Sequence, residues 1–282
     1  MVRQGFAKPS YAGSNPVLTS VTEQPLSERA SATTLDALLG GRVRYTQPSR
    51  GYRVALEAPL LARFAIEGRS KPFRRVVDLG AGPGAIALCL LVTGWARGAC
   101  AIERDADHAA LAVRNAIDNG VGERLEVVAS AVDRLDARAL SEIGGADLVI
   151  SNPPYFDVDA GAKAPDERRA ASRALVDTSL ASFVRAARKL LGRDGRCVIA
   201  FPASRLGELL DALGAARLSP KRMRFVHARA SSEAQVVFVE AKPARPGGLV
   251  VEPCCAVRGE GEAYTRQTED ALWGRWPSPD QA

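Results

Sequence analysis

Two hydrophobic patterns follow one another along most of the chain. Short apolar runs predict buried strands, and longer segments with apolar residues every three or four positions predict helices. The predicted strands cover residues 75–79, 98–103, 124–128, 146–150 and 196–201. The predicted helices cover residues 84–93, 105–118, 135–143, 176–191 and 203–213. Strands and helices that alternate in this way predict right-handed crossover connections and a mostly parallel sheet, which is an α/β fold.

The clearest helical pattern lies in segment 105–118. Its apolar residues recur at positions i, i+3, i+4, i+7 and i+8, which predicts one stripe facing the core. Asn119 and Gly120 follow, a pair that ends a helix well because both residues tolerate the left-handed conformation. The predicted stripe consists of Ala109, Ala112, Val113, Ala116 and Ile117.

Further strands are predicted after the last parallel unit. Segments 222–227 and 234–240 are joined by a short polar turn, a pattern typical of an antiparallel pair. With the five strands before them they predict a seven-stranded, mostly parallel sheet. A strand candidate at 248–257 and a helix at 265–273 form a C-terminal extension.

The segment before the sheet predicts a small cap. Residues 40–48 alternate polar and apolar positions, as a strand does, and a turn at 49–51 leads to a predicted return strand at 52–54. A helix is predicted at 56–66. The chain is thus divided into a disordered tail (1–34), a hairpin and helix cap (35–74), a core domain (75–245) and an extension packed on the same domain (246–282).

Composition restricts the classes of protein that remain. An apolar content of 46% is ordinary for a soluble protein, and the apolar runs are too short to span a bilayer. Five cysteines, an odd number without a CxxC pair, suit a reducing compartment, and two histidines make a zinc site improbable. We therefore expect a cytoplasmic protein without a metal or a membrane contact, and we expect a monomer.

Charge adds a possible partner. The net charge is +6, and Arg outnumbers Lys by 32 to 6, a skew that a GC-rich genome also produces. A basic protein rich in Arg favours a polyanion such as a nucleic acid. Arg42, Arg44, Arg50 and Arg53 cluster in the cap, either as a solvated face or as a rim that contacts the substrate.

A glycine loop follows the first predicted sheet strand. Asp78, Gly80, Gly82 and Gly84 spell DxGxGxG, a pattern that serves NAD, FAD and S-adenosyl-L-methionine (SAM). No Gly-Lys-Ser/Thr follows, so this is not a Walker loop. Pro83 within the loop favours SAM, which has no phosphate for the helix N-terminus to hold. Glu103, 25 residues after Asp78, predicts a carboxylate that accepts the ribose hydroxyls of the cofactor.

The most specific motif follows the fourth strand. It consists of Asn152, Pro153, Pro154 and Tyr155. The Asn152 side-chain oxygen and the Pro153 carbonyl can each accept one N–H of a planar amine, which turns its delocalised lone pair towards a methyl donor. Tyr155 offers a flat face on which a base can stack. The motif therefore predicts transfer of a methyl group to an exocyclic or amide nitrogen.

On these residues the chain resembles the class I SAM-dependent amino-methyltransferases. More narrowly, it resembles the bacterial adenine-N6-methyltransferases that act on the anticodon loop of valine tRNA. The resemblance spans about residues 35 to 273. It rests on Leu39-Gly40-Gly41-Arg42-Val43-Arg44 with Gln47-Pro48 and Gly51-Tyr52-Arg53, on Asn152-Pro153-Pro154-Tyr155-Phe156, and on Gly248-Leu249-Val250-Val251-Glu252-Pro253 with Gly261-Glu262-Ala263-Tyr264-Thr265.

This resemblance implies a Rossmann-like sheet, SAM as cofactor, and tRNA as substrate. It implies that Asn152 also contacts the cofactor. Where the family has an Asp after the third strand, this chain has Ala131, and Asp133 stands two residues later as the candidate for contacting the SAM adenine. The candidates for holding RNA are Arg42, Arg53, Arg168, Arg169 and Arg173.

Other functions stay open at this point. A glutamine-N5-methyltransferase of peptide-release factors uses the same Asn-Pro-Pro-Tyr logic, although a helical N-terminal domain would be expected there. Amino methylation of rRNA or DNA is a second alternative. A catalytically silent RNA-binding module is a third, which Ala131 favours. An NAD dehydrogenase would give no reason for residues 152–155.

Overall fold

The computed structural model describes residues 18–19, 32–50, 56–153, 180–243 and 247–279. Several predictions fall elsewhere and therefore lie outside the described residues. They are most of the tail, the return strand at 52–54, and the site candidates Arg53, Pro154, Tyr155, Arg168, Arg169 and Arg173.

The described residues form twelve strands and seven α-helices. The strands are β1 (Leu18–Thr19), β2 (Thr33–Leu38), β3 (Val43–Pro48), β4 (Phe73–Leu79), β5 (Ala96–Glu103), β6 (Leu125–Ala129), β7 (Ala146–Ser151), β8 (Leu191–Pro202), β9 (Leu218–Arg229), β10 (Ala234–Pro243), β11 (Val250–Val251) and β12 (Cys255–Arg258). The helices are α1 (Glu57–Ile66), α2 (Ala85–Val92), α3 (Ala106–Asp118), α4 (Ala137–Ile143), α5 (Leu180–Leu190), α6 (Leu206–Ala215) and α7 (Arg266–Leu272).

Seven strands form the centre of the sheet, in the order β6-β5-β4-β7-β8-β10-β9. The first five are parallel, and β10 is antiparallel to both β8 and β9. The predicted parallel sheet with a terminal antiparallel pair is therefore confirmed. Three short strands extend it beyond seven: β1 pairs with β6 at one edge, and β11 and β12 pair with β9 at the other.

Helices cover both faces of this sheet, which gives the protein two apolar cores. One core lies under α1, α2 and α3, and the other under α4, α5 and α6. Helix α2 has the sequence Ala-Ile-Ala-Leu-Cys-Leu-Leu-Val. Because it is apolar all round, it packs inside the fold, and seven of its eight residues are buried. A helix buried to this degree fixes the position of the turn that precedes it.

The N-terminal hairpin starts earlier in the chain than predicted. Its strand β3 pairs with β2, so that Thr33 lies opposite Pro48 and Leu38 opposite Val43. The predicted tail boundary at residue 34 thus falls inside a strand, and Leu18–Thr19 also pair with the sheet edge. Sequence analysis did not predict strand β2 because its sequence contains no apolar run. One of its faces is exposed to solvent, and Leu35 on that face is 59% exposed.

The stripe on α3 also differs from the prediction. Ala109, Ala112 and Ala116 are buried as expected, but Ile117 is 43% exposed, and the polar Asn115 is fully buried. The helix is therefore rotated so that Asn115 faces the interior. Its side chain is hydrogen-bonded there, which is what allows a polar group at a core position.

The C-terminal extension returns to the N-terminal hairpin. The Arg42 guanidinium donates a hydrogen bond to the Gly274 carbonyl (2.9 Å), and the Trp95 indole N–H donates to the Pro277 carbonyl (2.8 Å). A Cβ on Gly40 would lie 2.7 Å from the Trp273 ring, so the close contact requires glycine. The C-terminal extension and the N-terminal hairpin therefore pack against one another beside the same sheet.

An ion-pair network joins this extension to the core. Arg224 on β9 donates to both carboxylate oxygens of Glu67 (3.1 and 2.7 Å) and to Glu252 (2.6 Å). Arg222, two residues away on the same face, contacts Glu240 and Glu252. The side chains of Arg224, Glu67 and Glu252 are only 13–20% exposed, so the charges depend on one another for compensation.

We predict that Arg224→Ala is strongly destabilising because two partly buried carboxylates lose their closest partner and are left to share Arg222. The expected loss in the free energy of unfolding is ~3 kcal/mol. The matched control is Arg138→Ala, which breaks the exposed pair with Glu142 on α4 and should cost ~0.5 kcal/mol. Urea unfolding followed by circular dichroism measures both. Equal losses would show that the network adds nothing beyond a surface pair.

Candidate active site

The carboxyl ends of three neighbouring strands bring the main candidates together. In the sheet register, Asp78 of β4 lies opposite Ala101 of β5 and Ile150 of β7. Two residues further along each strand, Gly80, Glu103 and Asn152 therefore stand at one level of the sheet. Gly80 and Asn152, which are 72 positions apart in the chain, thus share the crevice where open α/β sheets bind their ligands.

The glycine loop makes the turn from β4 into α2. Gly80, Gly82 and Gly84 all have positive φ angles (70°, 54° and 87°), a region that favours glycine. Gly84 is also packed against α3, because a Cβ there would lie 3.3 Å from the Ala112 Cβ. The DxGxGxG spacing is therefore explained by backbone conformation at all three positions.

The loop uses its own N–H groups internally. Those of Gly80 and Ala81 donate to the Ile102 carbonyl (2.8 and 3.1 Å), and that of Gly84 donates to the Ala81 carbonyl (2.9 Å). The N–H of Gly82 donates to Glu103 Oε2 (2.8 Å), and Pro83 has none. A pyrophosphate would need such donors, so the loop fits a cofactor without a phosphate at this point better than a dinucleotide.

Asp78 lies beneath the loop, fully buried. Its Oδ2 accepts a hydrogen bond from the Ala87 N–H in the first turn of α2 (3.2 Å), and its Oδ1 has no partner among the described residues. Burial and the nearby Glu103 carboxylate raise the pKa of Asp78 to about 7, against the lowering effect of the Ala87 N–H. Asp78 therefore holds the start of α2 from beneath the loop.

Glu103 is the last residue of β5 and is held on both sides. Its Oε2 accepts the Gly82 N–H, and its Oε1 accepts the Asp105 N–H (both 2.8 Å). Only 7% of the residue is exposed. Each carboxylate oxygen keeps a second lone pair, so Glu103 can still accept hydroxyl groups from a ligand that lies over the glycine loop.

Asn152 and Pro153 directly follow β7. Pro153 is buried, and the Asn152 side-chain oxygen is shielded from solvent. The Ser151 hydroxyl donates to the Leu79 carbonyl (2.7 Å), which ties the end of β7 to the last residue before the glycine loop. Sequence analysis did not identify this bond, although a serine directly before the Asn-Pro-Pro-Tyr motif was a signal for it.

Asp133 and Arg42 occupy more distant positions. Asp133 is exposed and lies in a short 3-10 helix (Val132–Arg134) that follows β6. Between β6 and this helix, the Ser130 N–H donates to the Glu103 carbonyl (2.8 Å). Arg42 stands before β3, and its hydrogen bond to Gly274 uses one of its donors inside the fold. The structure therefore gives Arg42 a packing role beside the RNA contact predicted for it.

Two absences concern the described part of the chain. Between residues 18 and 279, outside the gaps given above, no group of three or more His, Cys, Asp or Glu side chains is arranged to hold a metal ion. Within the same residues, no helix is long and apolar enough to cross a membrane.

Comparison with known proteins identifies a family over this part of the fold. The model of the family described as "Methyltransferase small domain" matches residues 60–206. That range includes the glycine loop, Glu103 and Asn152. The crystal structure of a predicted O-methyltransferase from Agrobacterium tumefaciens has a TM-score of 0.61 and 24% sequence identity, and covers 78% of this chain and 96% of that one. At this identity the likeness shows the fold.

Relatives by sequence are of two kinds. A tRNA1(Val) (adenine(37)-N6)-methyltransferase from Parabacteroides distasonis is 32% identical over 170 residues, which are 60% of this chain and 68% of the relative. A release factor glutamine methyltransferase from Cereibacter sphaeroides is also 32% identical, over 148 residues that are 52% of this chain and 51% of the relative. The similarity to the first kind extends over more of both chains.

We predict that Asp78 makes stability depend on pH. Its pKa is raised from 3.8 to about 7 on folding, so the folded protein binds more protons than the unfolded chain between these values. The free energy of unfolding should therefore fall as pH rises through this window, and Asp78→Asn should remove that fall. Urea unfolding at several pH values across the window measures the free energy of unfolding of both proteins. The variant should gain stability relative to wild type as pH rises.

Asp147→Asn is the control of opposite sign. Partial burial acts to raise the pKa of Asp147, but hydrogen bonds from Arg74 outweigh it and lower that pKa. The free energy of unfolding of this variant should therefore fall relative to wild type as pH rises towards 3.8, the ordinary pKa of an Asp, and should show no further relative change up to pH 7. A pH profile of Asp78→Asn that parallels wild type would contradict the prediction.

Proposed function

The chain belongs to the methyltransferase small-domain family, and we propose that it transfers a methyl group from SAM to the N6 amine of an adenine in tRNA. The observation that carries this proposal is the common level of Gly80, Glu103 and Asn152 at the carboxyl edge of the sheet. The proposed cofactor site and the proposed amine-binding motif would thereby be neighbours. The relatives named for position 37 of valine tRNA suggest that base as the target.

The proposed cofactor fits the donor set of the crevice. SAM carries a ribose and an adenine but no phosphate, and the glycine loop has its N–H groups occupied internally. Glu103 would accept the ribose hydroxyls, since both of its oxygens retain a lone pair. Asp133, the nearest carboxylate that sequence analysis offers for the adenine, is exposed and follows the end of β6. The bound cofactor would supply an electrophilic methyl group.

The substrate amine would be oriented by oxygen acceptors. Its lone pair is delocalised into the ring, so the nitrogen must turn before it can attack. Asn152 Oδ1 and the Pro153 carbonyl would each accept one N–H and would stabilise the positive charge that grows on the nitrogen. Pro154 would restrict the turn and Tyr155 would stack on the base; both are assigned on their sequence motif, since they lie outside the described residues.

A glutamine in a release factor is the second candidate substrate. Its amide nitrogen is also planar and would meet the same two acceptors, and a relative of that name matches more than half of the chain. The basic net charge of +6 favours the RNA. The two substrates can be compared directly in one assay.

The test is methylation of unmodified tRNA by the purified protein with labelled SAM, followed by mass spectrometry of the nucleosides. We expect N6-methyladenosine in valine tRNA and no label in a release factor offered in parallel. Asn152→Ala should still bind SAM but should lose more than ~100-fold in turnover at saturating SAM, because it removes one acceptor from the transition state. Label only in the release factor would refute the tRNA proposal, and near-normal turnover by Asn152→Ala would refute the role of that residue.

The basic residues after the motif give a second prediction. Arg168→Glu together with Arg169→Glu and Arg173→Glu should raise the KM for tRNA and flatten its salt dependence, since each lost phosphate contact reduces the salt slope by about one. The control is Arg193→Glu, an exposed residue at the amino end of β8, on the opposite edge of the sheet. Because the triple variant changes the net charge three times as much as the control, an effect on log KM no more than three times that of the control would indicate only a general response to net charge.

A further inference from the structure

Asn115 on α3 and Asn119, which caps the C-terminus of this helix, pair with the backbone of β3 as a neighbouring strand would. The Asn119 side chain accepts the Arg44 N–H (2.9 Å) and donates to the Arg44 carbonyl (2.7 Å). One helical turn earlier, Asn115 accepts the Thr46 N–H (2.8 Å) and donates to the Thr46 carbonyl (2.9 Å). Residues 44 and 46 point their backbone groups to the same side of β3, so two amides at i and i+4 of a helix can pair with both.

Both asparagines make one further bond. Asn119 Nδ2 donates to the Asn115 carbonyl at the end of its own helix (2.7 Å), whereas the further bond of Asn115 leaves the helix. Asn115 Nδ2 also donates to the carbonyl of Pro83 in the glycine loop (3.0 Å). The residue is 0% exposed. Its Oδ1 accepts the Thr46 N–H, and its two side-chain N–H groups donate to the carbonyls of Thr46 and Pro83. A single buried amide therefore connects the N-terminal hairpin to the loop.

The Pro83 contact restrains the loop at a sensitive place. The peptide between Pro83 and Gly84 is held at its N–H end by the Ala81 carbonyl and at its C=O end by Asn115. Gly84 has a φ of 87°, a conformation that is easily exchanged for others in a glycine. Because both ends are held, rotation of this peptide would break two hydrogen bonds, and these bonds favour one loop shape before any ligand arrives.

We propose that Asn115 is a positioning residue for cofactor binding, which couples the β2–β3 hairpin to the shape of the glycine loop. It touches neither substrate nor cofactor and acts through Pro83. The inference rests on the proposed function in that the ligand of the loop is taken to be SAM. A preorganised loop binds its ligand more tightly because less conformational freedom is lost on binding.

The test compares three alanine variants of the full chain. Asn115→Ala removes the hairpin bonds and the loop bond, whereas Asn119→Ala removes the equivalent hairpin bonds and its bond to the Asn115 carbonyl but leaves the loop bond in place. Leu213→Ala opens a cavity in α6, under the other face of the sheet, and serves as the control for general loss of stability. Binding of S-adenosyl-homocysteine, the demethylated cofactor, is measured by calorimetry, and unfolding by urea.

We expect Asn115→Ala to weaken binding of S-adenosyl-homocysteine about tenfold, the equivalent of one hydrogen bond of positioning. Asn119→Ala and Leu213→Ala should stay within about twofold of wild type. In steady-state assays the KM for SAM should rise while kcat at saturating SAM is retained. Equal affinities in all four proteins, or affinities that follow stability alone, would overturn the proposal.

A measurement on the wild type covers the case in which Asn115→Ala does not fold. Amide hydrogen exchange read by NMR should show that S-adenosyl-homocysteine slows exchange at Thr46, whose N–H is held by Asn115, more than at Arg44, whose N–H is held by Asn119. Unchanged protection at Thr46 would overturn the coupling. Wild-type protein that binds no S-adenosyl-homocysteine would refute the proposed cofactor itself, and so the two failures are distinguishable.

Discussion

The turn from β4 into α2 is the constraint on which the rest of the site depends. Its sequence must pass through positive φ at three glycines, and its N–H groups must find acceptors within the fold. The end of β5 supplies those acceptors through the Ile102 carbonyl and the Glu103 carboxylate. The same hydrogen bonds therefore set the shape of the turn and the orientation of the Glu103 side chain, which is the candidate for binding the ribose.

The segments outside the central sheet reinforce this turn from a distance. The hairpin β2–β3 reaches the loop through Asn115, and the C-terminal extension reaches the hairpin through the contact of Arg42 with Gly274. The ion pairs of Arg224 hold the start of that extension against β9 and the end of α1. The chain ends are thus parts of one structure with the crevice, which gives a physical reason for family-like motifs on both flanks of the core.

The chemistry that this arrangement favours is selective. A loop with occupied donors disfavours a pyrophosphate, and a motif of oxygen acceptors favours an amine over a hydroxyl as the group to be methylated. Both preferences arise from which hydrogen-bonding groups remain available at the carboxyl edge. They discriminate among the enzymes that share this common sheet, whereas the sheet alone does not.

The sequence by itself determined the alternation of the central strands and helices and the antiparallel end of the sheet, and it supplied the candidates for the site. Apolar periodicity and glycine spacing are local properties, so they can be read without coordinates. Only the tertiary structure decided what depends on distant partners: the pairing of β3 with β2, the inward rotation of Asn115, and the bond from Ser151 to Leu79. A polar side chain in a sequence does not reveal its partner, because a buried hydrogen bond joins residues that the fold, and not the chain order, makes neighbours.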